Sequence, residues 1–185
     1  MNRSNRISIM VAPSDINDSS NRTSIRDRLG IATGDIAIAA PGRVHRLSGH
    51  RFAVWAVSIL KIADFPVRLI IQDTGSSVRD VVEFADMTGF TEQVILAGTE
   101  WSVSDLLSAA DIALFPDPDA PPESTMPAGL PVVAADTSGR MTPPDHNRSV
   151  TGKNTMPVRA DRPREIAQTL MKIIEDIFPA AVNDK

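Results

Sequence analysis

Apolar residues along this chain fall into short continuous runs, separated by longer stretches with a helical rhythm, and the two kinds of segment alternate. Runs at 36–40 (Ile36-Ala37-Ile38-Ala39-Ala40), 67–71, 93–97, 111–115 and 131–135 predict strands, the first of them covered on both faces and the last two in the core. Ile7-Ser8-Ile9-Met10-Val11 is a sixth strand candidate, ended by Ala12-Pro13-Ser14-Asp15. The polar run 17–23 reads as a loop, and 24–29 as a helical turn before Gly30. Across 48–62, the residues Phe52, Trp55, Ala56, Ile59 and Leu60 share one helical face. Ser77 is placed to cap a helix burying Val78, Val81, Val82 and Ala85, with Gly89 after its end. Ser102 and Asp105 have capping-box spacing ahead of Val103, Leu106 and Leu107. A last helix starts near Asp161, tolerates Pro163 in its first turn, and buries Ile166, Leu170, Ile173, Ile174 and Ile177.

Strand–helix alternation of this kind predicts an α/β, Rossmann-like, doubly wound parallel sheet of about six strands with helices on both faces. The expected organisation is a strand and polar loop over 1–23, the Rossmann-like domain over 24–178, and a tail over 179–185. Segments 116–127 and 142–154 read as loops on composition.

Composition narrows the function classes. The 185 residues are enough to bury roughly 70% of the unfolded surface in one core. With no cysteine, disulfides and thiolate chemistry are excluded. A net charge of −4 argues against nucleic-acid binding through the phosphate backbone. No apolar stretch reaches the ~18 residues of a membrane span. The apolar run after Arg6 is too short for a signal-peptide core, so a soluble, cytoplasmic protein is expected.

Three segments could carry chemistry. In Pro41-Gly42-Arg43-Val44-His45-Arg46-Leu47-Ser48-Gly49-His50-Arg51, a glycine at a strand end precedes cations and a helix start. Backbone N–H groups and the helix dipole there suit an anion, and Arg43, Arg46 and Arg51 could bond a diphosphate. A solvated basic loop fits the same pattern. His45 and His50 lack a third ligand, so neither a metal nor another cofactor is expected. The second segment, 116–129, crowds Asp117, Asp119 and Glu123 where carboxylates could accept bonds from sugar or ribose hydroxyls, or simply form a proline-stiffened surface loop. The third, Gln72-Asp73-Thr74-Gly75-Ser76-Ser77, is a glycine turn after a strand.

Taken in order, these segments resemble the C-terminal, donor-binding half of a family 4 (group 1) retaining glycosyltransferase of the GT-B fold. Val11-Ala12-Pro13-Ser14-Asp15 stands at that family's Pro-Asn-Gly-Val-Asp entry, and Arg28-Leu29-Gly30-Ile31 resembles its Leu-Gly-Ile run. Gly42-Arg43 followed by Gly49 matches its Gly-Arg-Leu…Lys-Gly signature. Leu69-Ile70-Ile71 with Gly75, Val94 to Gly98, Leu106 to Asp111, and Ala128 to Val133 keep the family order.

The resemblance implies a nucleotide-diphosphate sugar (UDP-, GDP- or ADP-sugar) as ligand. It places Gly42, Arg43, Ser48 and Gly49 at the diphosphate and Gly75, Gly98, Asp117, Asp119, Glu123 and Ser124 around nucleotide and sugar. Catalytic residues are not assigned. Ser48 occupies the place of the family's lysine. Ser124 and Pro116 occupy the places of its two motif glutamates, with Asp117, Asp119 and Glu123 as neighbours. The resemblance therefore implies a donor domain degenerate at the Glu-x7-Glu motif. Transfer would require a separate N-terminal acceptor domain; the alternatives are a non-catalytic binding or scaffolding module, or another Rossmann-like sugar-nucleotide protein such as an epimerase.

Overall fold

Among the described residues, six parallel strands form a single sheet in the order β3-β2-β1-β4-β5-β6. The strands are β1 (Ile36–Ala40), β2 (Val67–Gln72), β3 (Val94–Ala97), β4 (Ile112–Phe115), β5 (Val132–Asp136) and β6 (Thr155–Arg159). The helices are α1 (Asp18–Arg28), α2 (His50–Ile62), α3 (Val78–Thr88), α4 (Val103–Ala109) and α5 (Pro163–Ile177). This computed structural model describes residues 18–117, 130–136, 155–159 and 161–179.

Alternation along the strands splits the core into two layers. Ile36, Ile38 and Ala40 of β1 face α2, α3 and α5, packing with Val54, Leu60, Val81, Ile166, Leu170 and Ile174. Ala37 and Ala39 face α1 and α4, packing with Ile25, Leu29, Leu106 and Leu107. The expected Rossmann-like sheet with helices on both faces is what forms.

One strand differs from expectation. Thr155-Met156-Pro157-Val158-Arg159 forms β6, whereas the candidate strand 7–11 lies outside the described residues. Pro157 and the short apolar content hid β6 in the sequence. Among the described residues, however, it is an edge strand that pairs only with β5, and it tolerates a proline.

The polar run 17–23, expected as a loop, is helical from Asp18 onward. Contacts outside the helix explain this. Arg22 bonds Asp111 at 2.6 Å and the Ser108 and Ala110 carbonyls at 2.9 and 2.6 Å. Arg26 bonds Asp111 at 3.0 Å and the Ala109 carbonyl at 3.1 Å. Two cations thus satisfy carbonyls left open at the end of α4, at the negative pole of its dipole. Asp111 also accepts the Ala37 N–H at 2.8 Å, tying the cluster to β1.

The caps read from sequence are mixed. Ser102 and Asp105 form the capping box of α4, with Asp105 N–H on Ser102 Oγ at 3.1 Å and Ser102 N–H on Asp105 Oδ2 at 3.0 Å. Gly89 ends α3 in the left-handed region, at φ 78°. Ser77 precedes α3 but its side chain makes no capping bond. The buried face of α2 is rotated from the expected one: Ala53, Val54, Ala56, Val57 and Leu60 are buried, whereas Trp55 is 49% exposed. Small side chains let α2 sit close on the sheet, and Trp55 instead tilts against Phe84 of α3, centroids 6.4 Å apart. At the end of α5, Ile177 is likewise exposed rather than buried.

Candidate functional site

Strand order reverses between β1 and β4, and in sheets of this order ligands bind outside the carboxyl ends of the strands at that reversal. The loop that leaves β1 runs along this edge and is locked to both neighbours. Val44 is buried; its N–H donates to the Thr74 carbonyl at 2.6 Å and its carbonyl accepts the Ser77 N–H at 3.2 Å. Gly75 has φ 117°, and a Cβ there would be driven into the Val44 carbonyl. On the other side, Gly49 has φ 72°, and a Cβ would be driven into the Pro116 carbonyl. Both positions need glycine for conformation and for backbone-to-backbone approach.

A pair of side chains closes the junction with β4. His45 Nε2 and Asp117 Oδ2 are 2.8 Å apart. Leu47 N–H donates to His45 Nδ1 at 3.3 Å, so Nδ1 accepts and Nε2–H donates to Asp117. The imidazole is 39% exposed and the carboxylate 10%.

Beneath this pair Ser48 is fully buried. Its hydroxyl donates to the His45 carbonyl at 2.8 Å and accepts the His45 N–H at 3.1 Å. With that proton committed, His50 Nδ1–H donates to Ser48 Oγ at 2.7 Å. His50 is 1% exposed, and its Nε2 has no hydrogen-bond partner among the described residues. Burial lowers its pKa from 6.5 to about 4; the nearby Ala40 carbonyl and Asp117 carboxylate offset only part of that cost. His50 is therefore neutral at neutral pH.

The structure thus brings Gly42, Arg43, Ser48, Gly49, Gly75 and Asp117 to one edge, on the loops after β1, β2 and β4. Arg43 and Arg46 are exposed, and Arg43 has no hydrogen bond or ion pair among the described residues. Arg51, expected beside them, is drawn away: its guanidinium lies over the Phe84 ring, 4.8 Å from the centroid. Gly98 follows β3, two strands from β1, and its neighbour Ala97 is tied to the loop after β2 by the Asp73 N–H bonded to the Ala97 carbonyl at 2.7 Å. Asp119, Glu123 and Ser124 lie outside the described residues. Sequence reasoning weighed His45 only as a metal ligand and missed its pairing with Asp117. Their separation of 72 positions carries no local signal. Among the described residues no His, Asp and Glu group could hold a metal ion, and no helix is long and apolar enough to cross a membrane.

No family model matches the chain, and no curated protein matches it. Solved structures match its fold. A glycosyltransferase from Rickettsia africae ESF-5 superposes with a TM-score of 0.65 at 16% identity, over 95% of this chain and 48% of that one. Anabaena Alr3699/HepE in complex with UDP gives 0.66 at 20% identity, over 89% of this chain and 46% of that one. The C-terminal domain of a group 1 glycosyl transferase (LpcC) from Francisella tularensis gives 0.59 at 15% identity, over 89% and 85%. The chain has the fold of one half of a GT-B glycosyltransferase, and it spans about half the length of the first two proteins.

Proposed function

We propose that this chain is a glycosyltransferase-type domain that binds a nucleotide-diphosphate sugar at the carboxyl edge of β1 and β4. The observation that carries the reading is the convergence of the Arg43 loop with Asp117 across the point where strand order reverses, in a GT-B half-domain. HepE, a neighbour in fold, has been solved with UDP and with UDP-glucose. Arg43 would bond the diphosphate; Gly42, Gly49 and Gly75 would let backbone approach it. Asp117, with Asp119, Glu123 and Ser124 of the following segment, would meet ribose and sugar hydroxyls, and Gly98 would lie nearer the nucleotide. Ser48 would hold the loop's shape beneath the ligand.

Transfer with retention of configuration would need an N-terminal acceptor domain, in a longer chain or a partner, because a donor half alone neither positions an acceptor nor excludes water from the reacting bond. A second reading, a non-catalytic module of the same fold, is favoured by Ser48: the lysine of the family signature is replaced by a buried hydroxyl that carries no charge.

Calorimetric titration with a panel of UDP-, GDP- and ADP-sugars tests the binding reading. Heat of binding from one of them, lost in Arg43→Ala, supports it. No binding across the panel, or unchanged binding by the variant, defeats it in favour of the module.

A further inference from the structure

We propose that His45 is a phosphoryl ligand of this site, turning its Nδ1 edge and the Leu47 N–H to the diphosphate while Asp117 holds the opposite edge of the ring. The inference rests on the nucleotide-sugar reading and deepens it by naming a second donor beside Arg43.

Three observations lead to it. Ser48 is buried with its hydroxyl committed to His45 and His50, so the place of the signature's lysine supplies no cation. Arg51 is spent on the Phe84 ring. His45 combines an anchored atom with an accessible one: Nε2–H is fixed on Asp117 in a half-buried contact, and Nδ1 meets Leu47 N–H in an exposed contact of 3.3 Å. That bond is long for an N–H donor and readily exchanged.

The chemistry of the ring then dictates a proton. Neutral, Nδ1 offers a lone pair, which a phosphoryl oxygen cannot accept from. Protonated, Nδ1–H becomes a charge-assisted donor and releases Leu47 N–H, so two donors face one acceptor group. Nε2–H stays on Asp117 throughout. Asp117 from the end of β4 and neutral His50 from α2 face the ring, and Arg43 and Arg46 are exposed cations of its own loop. Beside it, the loop after β2 brings Thr74 and Gly75, neither ionisable, and the exposed Asp73 one position before them. Binding of the diphosphate should therefore take up a proton at His45.

The full chain is titrated with UDP-glucose, GDP-glucose and ADP-glucose in buffers of different ionisation heat, and the ligand that binds is carried through about pH 6 to about pH 8. The diphosphate diester of these sugars does not itself titrate in that range. Expected are proton uptake on binding and an affinity that falls as the pH rises. His45→Gln should weaken binding roughly tenfold at the acid end and abolish the uptake. Arg43→Ala should weaken binding at every pH and keep the uptake. Proton uptake is read on the unaltered chain, so it decides even if a variant fails to fold. Binding without proton exchange, or with exchange unaltered by His45→Gln, overturns the inference and leaves the nucleotide-sugar reading standing. No binding by any of the three sugars overturns both.

Discussion

His45 and Asp117 stand 72 positions apart in the chain, yet their side chains meet at 2.8 Å across the reversal of strand order. They meet because β1 and β4 are hydrogen-bonded neighbours, with Ile38 opposite Ile112 and Ala39 opposite Ala113. Each strand then delivers its following loop to the same edge. Gly49 against the Pro116 carbonyl and Gly75 against the Val44 carbonyl bring the backbones close enough for that meeting.

Those two glycines give the first prediction. Gly75→Ala adds a Cβ at φ 117° directly against a backbone carbonyl, and Gly49→Ala does the same at φ 72°. Each should lower unfolding free energy by roughly 2–4 kcal/mol in urea titration, strain and clash together. Gly30→Ala is the control: its φ is 70°, but nothing lies within 4 Å of the added atom. It should cost only the conformational part, about 1 kcal/mol. Equal losses at all three positions would show that close approach of the loops contributes nothing.

Asp111 supports the second prediction. It bonds Arg22, Arg26 and the Ala37 N–H, and is itself 13% exposed. Asp111→Ala leaves the largely buried Arg26 guanidinium without its carboxylate and should cost roughly 2–4 kcal/mol by thermal or urea unfolding. Arg22 is 40% exposed, so Arg22→Ala should cost no more than about 1 kcal/mol, water replacing much of what is lost. Comparable losses in both variants would contradict a cluster centred on the carboxylate.

The architecture was legible because each local signal agreed with the layered outcome. Ile36-Ala37-Ile38-Ala39-Ala40 must be covered on both faces, and Ser102 with Asp105 caps α4 by a contact that spacing alone specifies. What stayed hidden depends on partners distant in sequence. Asp18 to Thr23 look like a loop until Arg22 finds the open carbonyls of α4. Thr155 to Arg159 looks unlike a strand until the edge of β5 pairs with it. At the site, Gly42-Arg43 and Gly49 were readable as a loop at a strand end. The role of Ser48 was not, because its partners are a backbone carbonyl of its own loop and a buried imidazole.

That imidazole supplies the last prediction. His50 has a pKa of about 4 in the folded chain, lowered by burial from 6.5, the value it regains on unfolding. Between those values the unfolded chain binds more proton than the folded one, so stability rises with pH across the window. The contribution is whole above about pH 6.5 and is lost as the pH falls toward 4, at about 1.4 kcal/mol per pH unit. Over the window that sums to roughly 3 kcal/mol. His50→Asn keeps an amide N–H at the Nδ1 position for the Ser48 hydroxyl and has no proton to gain. Urea titrations at intervals from about pH 7 to about pH 4 should show a slope for the unaltered chain that exceeds the variant's by about 1.4 kcal/mol per unit. Parallel slopes would mean that other groups govern the acid limb and that His50 is not held neutral. Charging His50 adds its proton at Nε2, which is buried with no partner among the described residues, so exposing that cation to water should open the loop that Ser48 ties to it before the sheet melts. Amide exchange at Val44 to Gly49 should therefore accelerate in the unaltered chain at a pH where β1 and β2 amides are still protected.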